Sequence, residues 1–230
     1  MIPRFPLYLF DLDGTLVDSA ADICGAIQDT LASTRRTDLS DEFLRGYIGR
    51  HLLELFADVL PEYSPEQIDR LIVDYRRIYP ARGHAMTRVY PGVREALAAL
   101  EGRKSTATIK ATHTTRLVLE QFGLLQFFDH VQGTDGFPAK PEPDVIHASL
   151  KVFGVPPEEC LMVGDSPADM EAGRRAGVRI CAVRYGYGKA GDLARYQPDY
   201  WIDDPRELLR IEQRGIVTAV PGTGRGETVE

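Results

Sequence analysis

The segment "YLFDLDGTLVDS", residues 8–19, decides the fold and places two aspartates close together. An apolar run ends at Phe10, and Asp11 and Asp13 follow with one residue between them. Residues two apart on an extended strand point to the same side, so both carboxylates would face the same way. A strand that ends in an Asp-Gly turn would explain Asp13 and Gly14, but it would leave the charge of Asp11 without a role.

Further short β-rich runs follow along the chain, and helical patterns separate the later ones. We predict strands at PLYLF (6–10), STATI (105–109), DHVQG (129–133), CLMVG (160–164), VRICAV (178–183) and DYWI (199–202). We predict helices at 93–100, 146–153 and 167–177, the last of which begins with proline and ends with glycine. This alternation predicts an α/β fold with a doubly wound parallel sheet, whose ligands bind at the carboxyl ends of the strands.

The first two predicted strands are separated by far more residues than one crossover helix needs. Two apolar stripes with helical spacing lie in this gap, and we predict no strand there. We therefore predict a helical cap at 17–85 inserted into a core formed by 1–16 and 86–210. An independent N-terminal helical domain does not fit, because the first strand precedes the helices and must join the sheet. The segment 211–230 lacks a sustained period, and we predict a flexible tail.

Composition limits the classes of function. The chain has 230 residues, 43% of them hydrophobic, and a formal net charge of −7. This length and apolar content suit one large globular domain or a domain with an insertion. The acidic balance argues against binding of nucleic acid or of acidic membranes, because both need a basic surface. The N-terminal apolar run is too short for a signal peptide or a membrane span, so we expect a cytoplasmic protein.

The cysteines and histidines form no recognisable site. The three cysteines are far apart and lack metal-ligand spacing, so we expect reduced core residues rather than disulfides or zinc ligands. The five histidines are scattered, and none pairs with a serine or cysteine in a catalytic pattern, so we expect structural roles for them. His51, beside Arg50 in the predicted cap, is the histidine with the best claim to a functional role.

Four polar segments follow predicted strands, at the edge where this fold binds ligands. They are DLDGT (11–15), TIK (108–110), AKPEPD (139–144) and GDSPAD (164–169), and they bring together Asp11, Asp13, Lys140, Asp165 and Asp169. Two unit charges ~4 Å apart repel by about 4 kcal/mol at intermediate dielectric, so this group of carboxylates needs cations or protons, and a divalent cation would offset the charge. Hard oxygen ligands with room for water and phosphate suit Mg²⁺ better than Ca²⁺ or Zn²⁺.

The four segments in this order resemble the haloacid dehalogenase superfamily, and within it the phosphoglycolate-phosphatase-like hydrolases. YPGVREAL (90–97) and RYGYG (184–188) are also similar to that group, so the resemblance covers nearly the whole chain apart from the tail. It implies a Rossmann-like catalytic core with an α-helical cap inserted after the first motif. Each motif alone is weak evidence, and the strength of the resemblance lies in their order after successive predicted strands.

The resemblance implies a role for each matching residue. Asp11 would be the nucleophile that forms an aspartyl phosphate, and Asp13 would be the general acid and base. Thr108 and Lys140 would bind the phosphate. Mg²⁺ would be held by Asp11, Asp165 and the backbone carbonyl of Asp13, while Asp169 would orient metal-bound water, cap the helix that follows, or do both.

Two positions in the sequence bear on the substrate. Family members of this type commonly have asparagine after the threonine of the second motif, whereas this chain has Ile109, so a contact with phosphate is lost or replaced. In the predicted cap, the segment 47–56 resembles the part that faces the site in similar phosphatases. Arg50 in this segment could bind a substrate carboxylate through paired hydrogen bonds, or it could be a solvated residue at the start of a helix.

The function predicted from these residues is Mg²⁺-dependent hydrolysis of a small phosphorylated metabolite, with 2-phosphoglycolate as the first candidate. A β-phosphoglucomutase-like sugar-phosphate mutase is an alternative, although similar mutases tend to have valine where Thr15 stands. A catalytically silent binding protein on the same fold is a second alternative, which Ile109 keeps open. The partner expected is therefore the small-molecule substrate, without nucleic acid or membrane, and the sequence makes no prediction about oligomeric state.

Overall fold

The computed structural model describes residues 2–209, so the predicted tail at 211–230 lies outside the described residues. The strands are β1 (Leu7–Phe10), β2 (Val17–Asp18), β3 (Arg88–Val89), β4 (Arg103–Thr106), β5 (Cys160–Gly164), β6 (Arg179–Val183) and β7 (Tyr200–Ile202). The α-helices are α1 (Ala20–Leu31), α2 (Asp41–Arg45), α3 (Leu52–Val59), α4 (Pro65–Ala81), α5 (Val93–Ala99), α6 (Thr112–Gln121), α7 (Asp144–Phe153), α8 (Pro167–Ala176) and α9 (Ala190–Ala194). Short 3₁₀ turns cover Leu125–Phe127, Pro157–Glu159 and Pro205–Leu209.

A five-stranded parallel sheet forms the centre of the fold, in the order β4-β1-β5-β6-β7. β1 is buried on both faces, because its side chains alternate between two hydrophobic clusters. Tyr8 and Phe10 belong to the cluster that includes α5 and α6, whereas Leu7 and Leu9 belong to the cluster that includes α7 and α8. Helices thus cover both faces of the sheet, which confirms the predicted α/β fold class.

The predicted strand at 129–133 is wrong. Its only ladder contact in the described structure is an isolated bridge between His130 and Ser105. The hydroxyl of Thr106 donates to the carbonyl of Gln132 at 2.8 Å and accepts from the backbone N–H of the same residue at 2.8 Å. A side chain thus takes the two hydrogen bonds that a continued ladder would have made, and the sheet ends at β4.

Helices α1 to α4 pack around a hydrophobic cluster of their own, separate from the two clusters on the sheet. The prediction of no strand in 17–85 is wrong at its first residues, because Val17–Asp18 pairs antiparallel with Arg88–Val89. This two-stranded ribbon joins the chain entering the helices to the chain leaving them. We use the term cap for the proposed insertion 17–85, whose boundaries stay a prediction.

Helix α4 brings aromatic side chains from the cap to the sheet edge. Ser64 and Gln67 form a capping box at its start, and Pro65 occupies its first position. Its buried face includes Tyr75 and Tyr79, whose rings stack with 5.6 Å between centroids.

Across residues 2–209, no helix combines the length and apolar character required to cross a membrane.

Candidate active site

Asp11 lies directly after β1, where the sheet ends. Its backbone N–H donates to the carbonyl of Val163 at 3.0 Å, so the main chain still follows the neighbouring strand β5 at this point. The side chain is buried and accepts a hydrogen bond from Lys140 Nζ at 2.8 Å. Burial raises the pKa of Asp11 to about 7 despite the opposing effect of Lys140, and the nearby charge of Asp169 adds to the increase.

Lys140 is a buried ammonium between two carboxylates. It donates to Asp11 Oδ1 at 2.8 Å, to the carbonyl of Ala107 at 2.7 Å and to Asp169 Oδ1. These contacts use all three donors of the ammonium. Burial acts to lower the pKa of Lys140, but the charges of Asp11 and Asp169 outweigh it and raise the pKa. The lysine is therefore charged and fixed in position.

Asp165 follows β5 and is buried beside the turn after β1. It accepts hydrogen bonds from Thr15 Oγ1 at 3.1 Å and from the backbone N–H of Tyr187 at 2.8 Å. Burial, followed by repulsion from Asp169 and Asp11, raises the pKa of Asp165 well above its ordinary value. A side chain at Gly14, where φ is +94°, would place its Cβ 2.3 Å from Asp165 Oδ2, so only glycine allows this approach.

Asp169 combines two contacts. Its Oδ2 accepts from the backbone N–H of Ser166 at 2.9 Å, and its own backbone N–H donates to Ser166 Oγ at 3.2 Å, which forms a capping box at the start of α8. The Ser166 hydroxyl also donates to Oδ2 at 2.6 Å. Its Oδ1 accepts from Lys140. Capping therefore fixes one oxygen of Asp169, and the other oxygen contacts Lys140 near the carboxylates of Asp11 and Asp165.

The side chains of Asp11, Asp165 and Asp169 each offer an oxygen, and these oxygens lie within 4.8 Å of one another. We call these three carboxylates and Lys140 the sheet-edge cluster. One ammonium among three buried carboxylates leaves an excess of negative charge. Burial is the main reason that the pKa values of Asp11 and Asp165 are raised, and repulsion from the neighbouring carboxylates adds to it. The donor set, which is all oxygen, fits a hard divalent cation such as Mg²⁺.

Asp13 does not belong to this cluster through its side chain. Its carboxylate accepts from the hydroxyl of Ser19 at 2.6 Å and lies 3.1 Å from Lys110 Nζ. The side chain lines the cleft, and Ser19 belongs to the predicted cap. The two aspartates of the first motif thus have different side-chain partners, Lys140 for Asp11 and Ser19 with Lys110 for Asp13, and the roles predicted for them stay a prediction.

Thr108 lies where the sequence predicts it, buried at the carboxyl end of β4. Its hydroxyl accepts a hydrogen bond from the backbone N–H of Lys110 at 3.3 Å. Ile109 is partly buried and lines the same cleft as Asp11 and Asp13, so it adds an apolar wall at the position of the missing amide.

Lys110 is a site residue that the sequence analysis missed, although it is the last residue of the TIK motif. Its side chain is 12% exposed and contacts the cap, with Nζ 3.2 Å from the hydroxyl of Tyr79 and 4.3 Å from the centroid of the same ring. Burial acts to lower the pKa of Lys110, but the charge of Asp13 outweighs it and raises the pKa. The basic residue at the end of the TIK motif was the available signal, but its aromatic partner Tyr79 is distant in sequence.

A cleft of about 590 Å³ lies between the sheet edge and the cap. Arg50 lines it, but the guanidinium is paired with Glu54 at 2.7 Å and stacks 4.7 Å from the ring centroid of Tyr47. The side chain of Arg50 is 46% exposed. The structure thus places this residue at the rim of the cleft, with its charge already engaged, and its role in substrate binding stays a prediction.

Tyr187 connects the sheet-edge cluster to the start of the cap. Its backbone N–H donates to Asp165, while its hydroxyl accepts from the backbone N–H groups of Ser19 at 2.7 Å and Ala20 at 3.0 Å. The same hydroxyl donates to Asp18 Oδ1 at 3.0 Å. The sequence analysis noted the RYGYG segment but assigned no contact to it.

Comparison with known proteins agrees with this geometry. The family model described as haloacid dehalogenase-like hydrolase matches residues 8–183. The chain belongs to this family. Phosphoglycolate phosphatase 1 of Pseudomonas aeruginosa is 33% identical over 230 residues, which cover 96% of this chain and 84% of the relative. Phosphoglycolate phosphatase of Aquifex aeolicus is 32% identical, with 91% of this chain and 97% of the relative covered.

A solved structure of a haloacid dehalogenase-like family hydrolase from Streptococcus pneumoniae superimposes with a TM-score of 0.83 at 32% identity. The match covers 90% of this chain and 97% of that one. These findings confirm the predicted superfamily, fold class and enzyme class. The chain is a hydrolase of the haloacid dehalogenase-like family, similar to proteins named phosphoglycolate phosphatase.

Proposed function

We propose that this hydrolase is a Mg²⁺-dependent phosphatase that cleaves a small phosphorylated metabolite, with 2-phosphoglycolate as the first candidate. The observation that carries the proposal is Asp11, a buried carboxylate at a strand end, with Lys140 at 2.8 Å and Asp13 directed towards the cleft. The names of its relatives support the choice of substrate. Three buried free cysteines support a reducing compartment, and we infer that the enzyme works in the cytoplasm.

Asp11, Asp165 and the backbone carbonyl of Asp13 are the groups that we propose as Mg²⁺ ligands, with Asp169 close by. The excess negative charge of the sheet-edge cluster supports this assignment. A bound cation would offset the repulsion among these carboxylates and neutralise charge on the phosphate, which is the chemistry that Mg²⁺ supplies. Lys140 cannot replace it, because one ammonium balances only one of three carboxylates.

In the proposed reaction, an oxygen of Asp11 attacks phosphorus and the bond to the ester oxygen breaks. Asp13, which carries a proton in the proposed substrate complex, donates it to the departing alkoxide, so the alcohol leaves neutral. In the second step Asp13 takes a proton from water, whose oxygen attacks phosphorus, and the bond to Asp11 breaks. Inorganic phosphate is released and both aspartates return to their starting states. Lys140 holds Asp11 in line throughout, and its positive charge attracts the phosphate, while Thr108 lines the cleft.

The two alternatives are less well supported. Thr15 donates to Asp165 at 3.1 Å, a contact that the valine expected in a mutase could not make. A silent binding protein would not need a nucleophile, an acid and a cluster of carboxylates arranged together at one strand edge. Hydrolysis therefore accounts for more of the site than either alternative.

The test is phosphate release from a panel of small phosphorylated metabolites, with Mg²⁺ and with excess chelator. We expect release from 2-phosphoglycolate that depends on Mg²⁺ and returns when the cation is restored. Conversion of a sugar monophosphate to its isomer without phosphate release would indicate the mutase. Failure to cleave any ester by the purified, folded protein would indicate a binding function.

A further inference from the structure

Lys110 and Lys140 both lie at the sheet edge, but they differ in how their ammonium groups are used. All three donors of Lys140 are occupied by groups of the core. Within residues 2–209, Lys110 Nζ contacts two polar atoms, Asp13 Oδ2 at 3.1 Å and the Tyr79 hydroxyl at 3.2 Å. An ammonium carries three donors, so one donor of Lys110 remains for a molecule in the cleft.

Lys110 lies beside the place that the leaving group would occupy in the proposed reaction. Asp13 must contact the ester oxygen to protonate it, so the part of the substrate beyond that oxygen starts at Asp13. Lys110 Nζ lies 3.1 Å from the same carboxylate and lines the cleft. In 2-phosphoglycolate the carboxylate is attached to the carbon next to the ester oxygen. With bonds of about 1.5 Å, its oxygens lie about 3 Å from that ester oxygen, a distance similar to the one between Lys110 Nζ and Asp13.

The surroundings of Lys110 favour an anion over a neutral group. The ring of Tyr79 covers one side of the ammonium, and burial raises the pKa of this tyrosine well above its ordinary value, so it stays a neutral phenol. Tyr75 and Ile72 continue this poorly hydrated wall of the cleft. A charged hydrogen bond is stronger in such surroundings than in water.

The other cations of the cleft are less suited to this contact. Arg50 is paired with Glu54, and its side chain is about half exposed. Arg76 also lines the cleft, but it is exposed on the outer part of α4. A charge at the rim is screened by water, whereas the side chain of Lys110 is 12% exposed and its ammonium is adjacent to Asp13.

We propose that Lys110 is the specificity-determining residue of this site and binds a carboxylate on the leaving group, so that the enzyme selects phosphate esters of small hydroxy acids. This inference rests on the phosphatase function proposed above. The contact also explains how the site works with Ile109 in place of asparagine, because recognition moves from the phosphate to the far end of the substrate. Tyr79, on α4 of the cap, contacts the same ammonium, so the cap takes part in this recognition.

The experiment compares 2-phosphoglycolate with ethyl phosphate, which lacks the carboxylate but is similar in size. Lys110→Met should lower kcat/KM for 2-phosphoglycolate about 10-fold to 100-fold more than for ethyl phosphate, which is the range expected for one charged hydrogen bond. The excess should fall mainly on KM, because the contact exists before the transition state. Lys110→Arg should recover part of the lost preference.

Arg76→Met is the matched control, because it removes the same charge from the same cleft without touching Asp13. It should change the two esters equally, whereas a selective loss would assign the preference to the overall field of the cleft and overturn the contact. Thermal unfolding checks that each variant is folded. If Lys110→Met does not fold, Lys110→Gln, which keeps a donor beside Asp13, takes its place in the same comparison.

Three outcomes separate this inference from the proposed function. Equal losses on both esters in the Lys110 variants would mean that the lysine only supports Asp13, and the inference would be wrong. A wild-type enzyme that cleaves both esters equally well would also overturn the inference while leaving the phosphatase intact. A wild-type enzyme that cleaves no phosphate ester would instead overturn the proposed function.

Discussion

The two sides of the cleft use polar groups in opposite ways. In the sheet-edge cluster, buried charges contact one another, and Lys140 and Asp169 have their hydrogen-bonding groups engaged within the core. The cap side presents mainly apolar and aromatic side chains to the cleft, and its arginines lie at the exposed rim. Lys110 stands between the two, bonded to Asp13 on one side and to Tyr79 on the other.

This difference indicates how the work is divided. Lys140, Asp165 and Asp169 are each fixed by more than one partner, and Lys140 in turn holds Asp11, which is the arrangement that preorganised chemistry needs. The cap side has few fixed polar groups, so we expect it to select substrates mainly by shape. Substitutions at the sheet edge should therefore affect every substrate, and substitutions on the cap side should affect some substrates more than others.

The largest effect is expected at the centre of the sheet-edge cluster. Asp11→Asn keeps the shape and can still accept from Lys140, but it removes the attacking charge, so turnover should fall by at least about 1,000-fold on every ester. Single-turnover phosphate release measures this loss. Near-normal activity in the folded variant would contradict the nucleophile and would remove the contrast between the two sides.

The same variant has a consequence for stability. Because the pKa of Asp11 is raised to about 7 in the fold, the folded state binds a proton more tightly than the unfolded state does. The contribution of Asp11 is therefore present below its ordinary pKa of 3.8 and is lost as the pH rises through about 7. In chelator at pH 8, Asp11→Asn should unfold at a temperature equal to or above that of the wild type, and a clearly lower temperature would contradict this.

A smaller and more selective loss is expected at Asp13. Asp13→Asn should slow alkyl esters by about 100-fold to 1,000-fold, because the alkoxide then leaves without a proton. The loss should shrink for p-nitrophenyl phosphate, whose leaving group needs little protonation. Single-turnover rates on both esters make the comparison, and an equal deficit on the two would mean that Asp13 is not the general acid.

Arg50 tests the cap side. A direct bond to a substrate carboxylate predicts a loss of about 10-fold or more in kcat/KM for 2-phosphoglycolate in Arg50→Ala. The pairing with Glu54 and the half-exposed position lead us to expect less than about 3-fold on this ester and on ethyl phosphate. A selective 10-fold loss would transfer carboxylate recognition from Lys110 to the rim.

The smallest effect is expected at His84, where the two sides meet. His84 is buried with φ of +54°, and its ring packs edge-on against Tyr79 at 5.0 Å between centroids. Burial, followed by the charge of Lys110, lowers its pKa below the ordinary value of 6.5. The unfolded state thus takes up the proton more readily, and stability should fall as the pH drops from 6.5 through the lower pKa of the fold.

His84→Asn removes this titration and keeps a residue that tolerates a positive φ. The decrease in Tm between pH 7.5 and pH 5.5 should be about 1–3 °C smaller in the variant than in the wild type. Thermal unfolding at the two pH values, in the same buffer system and ionic strength, measures the difference. An unchanged pH dependence would mean that the buried imidazole does not contribute.

Local sequence patterns predicted most of the sheet, because its strands are short apolar runs that can be recognised without knowing their neighbours. β1 and β5 are short apolar runs followed by acids, and parallel pairing brings those acids to one edge. The segment 129–133 has the composition of a strand, yet the hydroxyl of Thr106 takes its backbone hydrogen bonds. The ribbon between β2 and β3 escaped prediction because two-residue strands have no period to detect.

The candidate site divides in the same way. Asp11 and Asp165 could be placed together from sequence because each directly follows a strand of the same sheet. Lys110 could not be placed, since its contact with Tyr79 depends on how α4 folds over the sheet edge. Arg50 and Glu54 are four residues apart, a spacing that favours an ion pair on a helix. This pairing could therefore have been predicted from the sequence.

The separate hydrophobic cluster of α1 to α4 has an evolutionary consequence. Mutations that alter cleft-lining side chains of the cap perturb an interior that shares no residue with the two clusters supporting the sheet edge. Effects on stability at distant, independent sites are close to additive, so mutations at cap residues other than Tyr79, which contacts Lys110, should not compound damage to the nucleophile and its neighbours. Substitutions in these helices can therefore change the substrate that an enzyme of this family accepts, while the groups at the sheet edge stay the same.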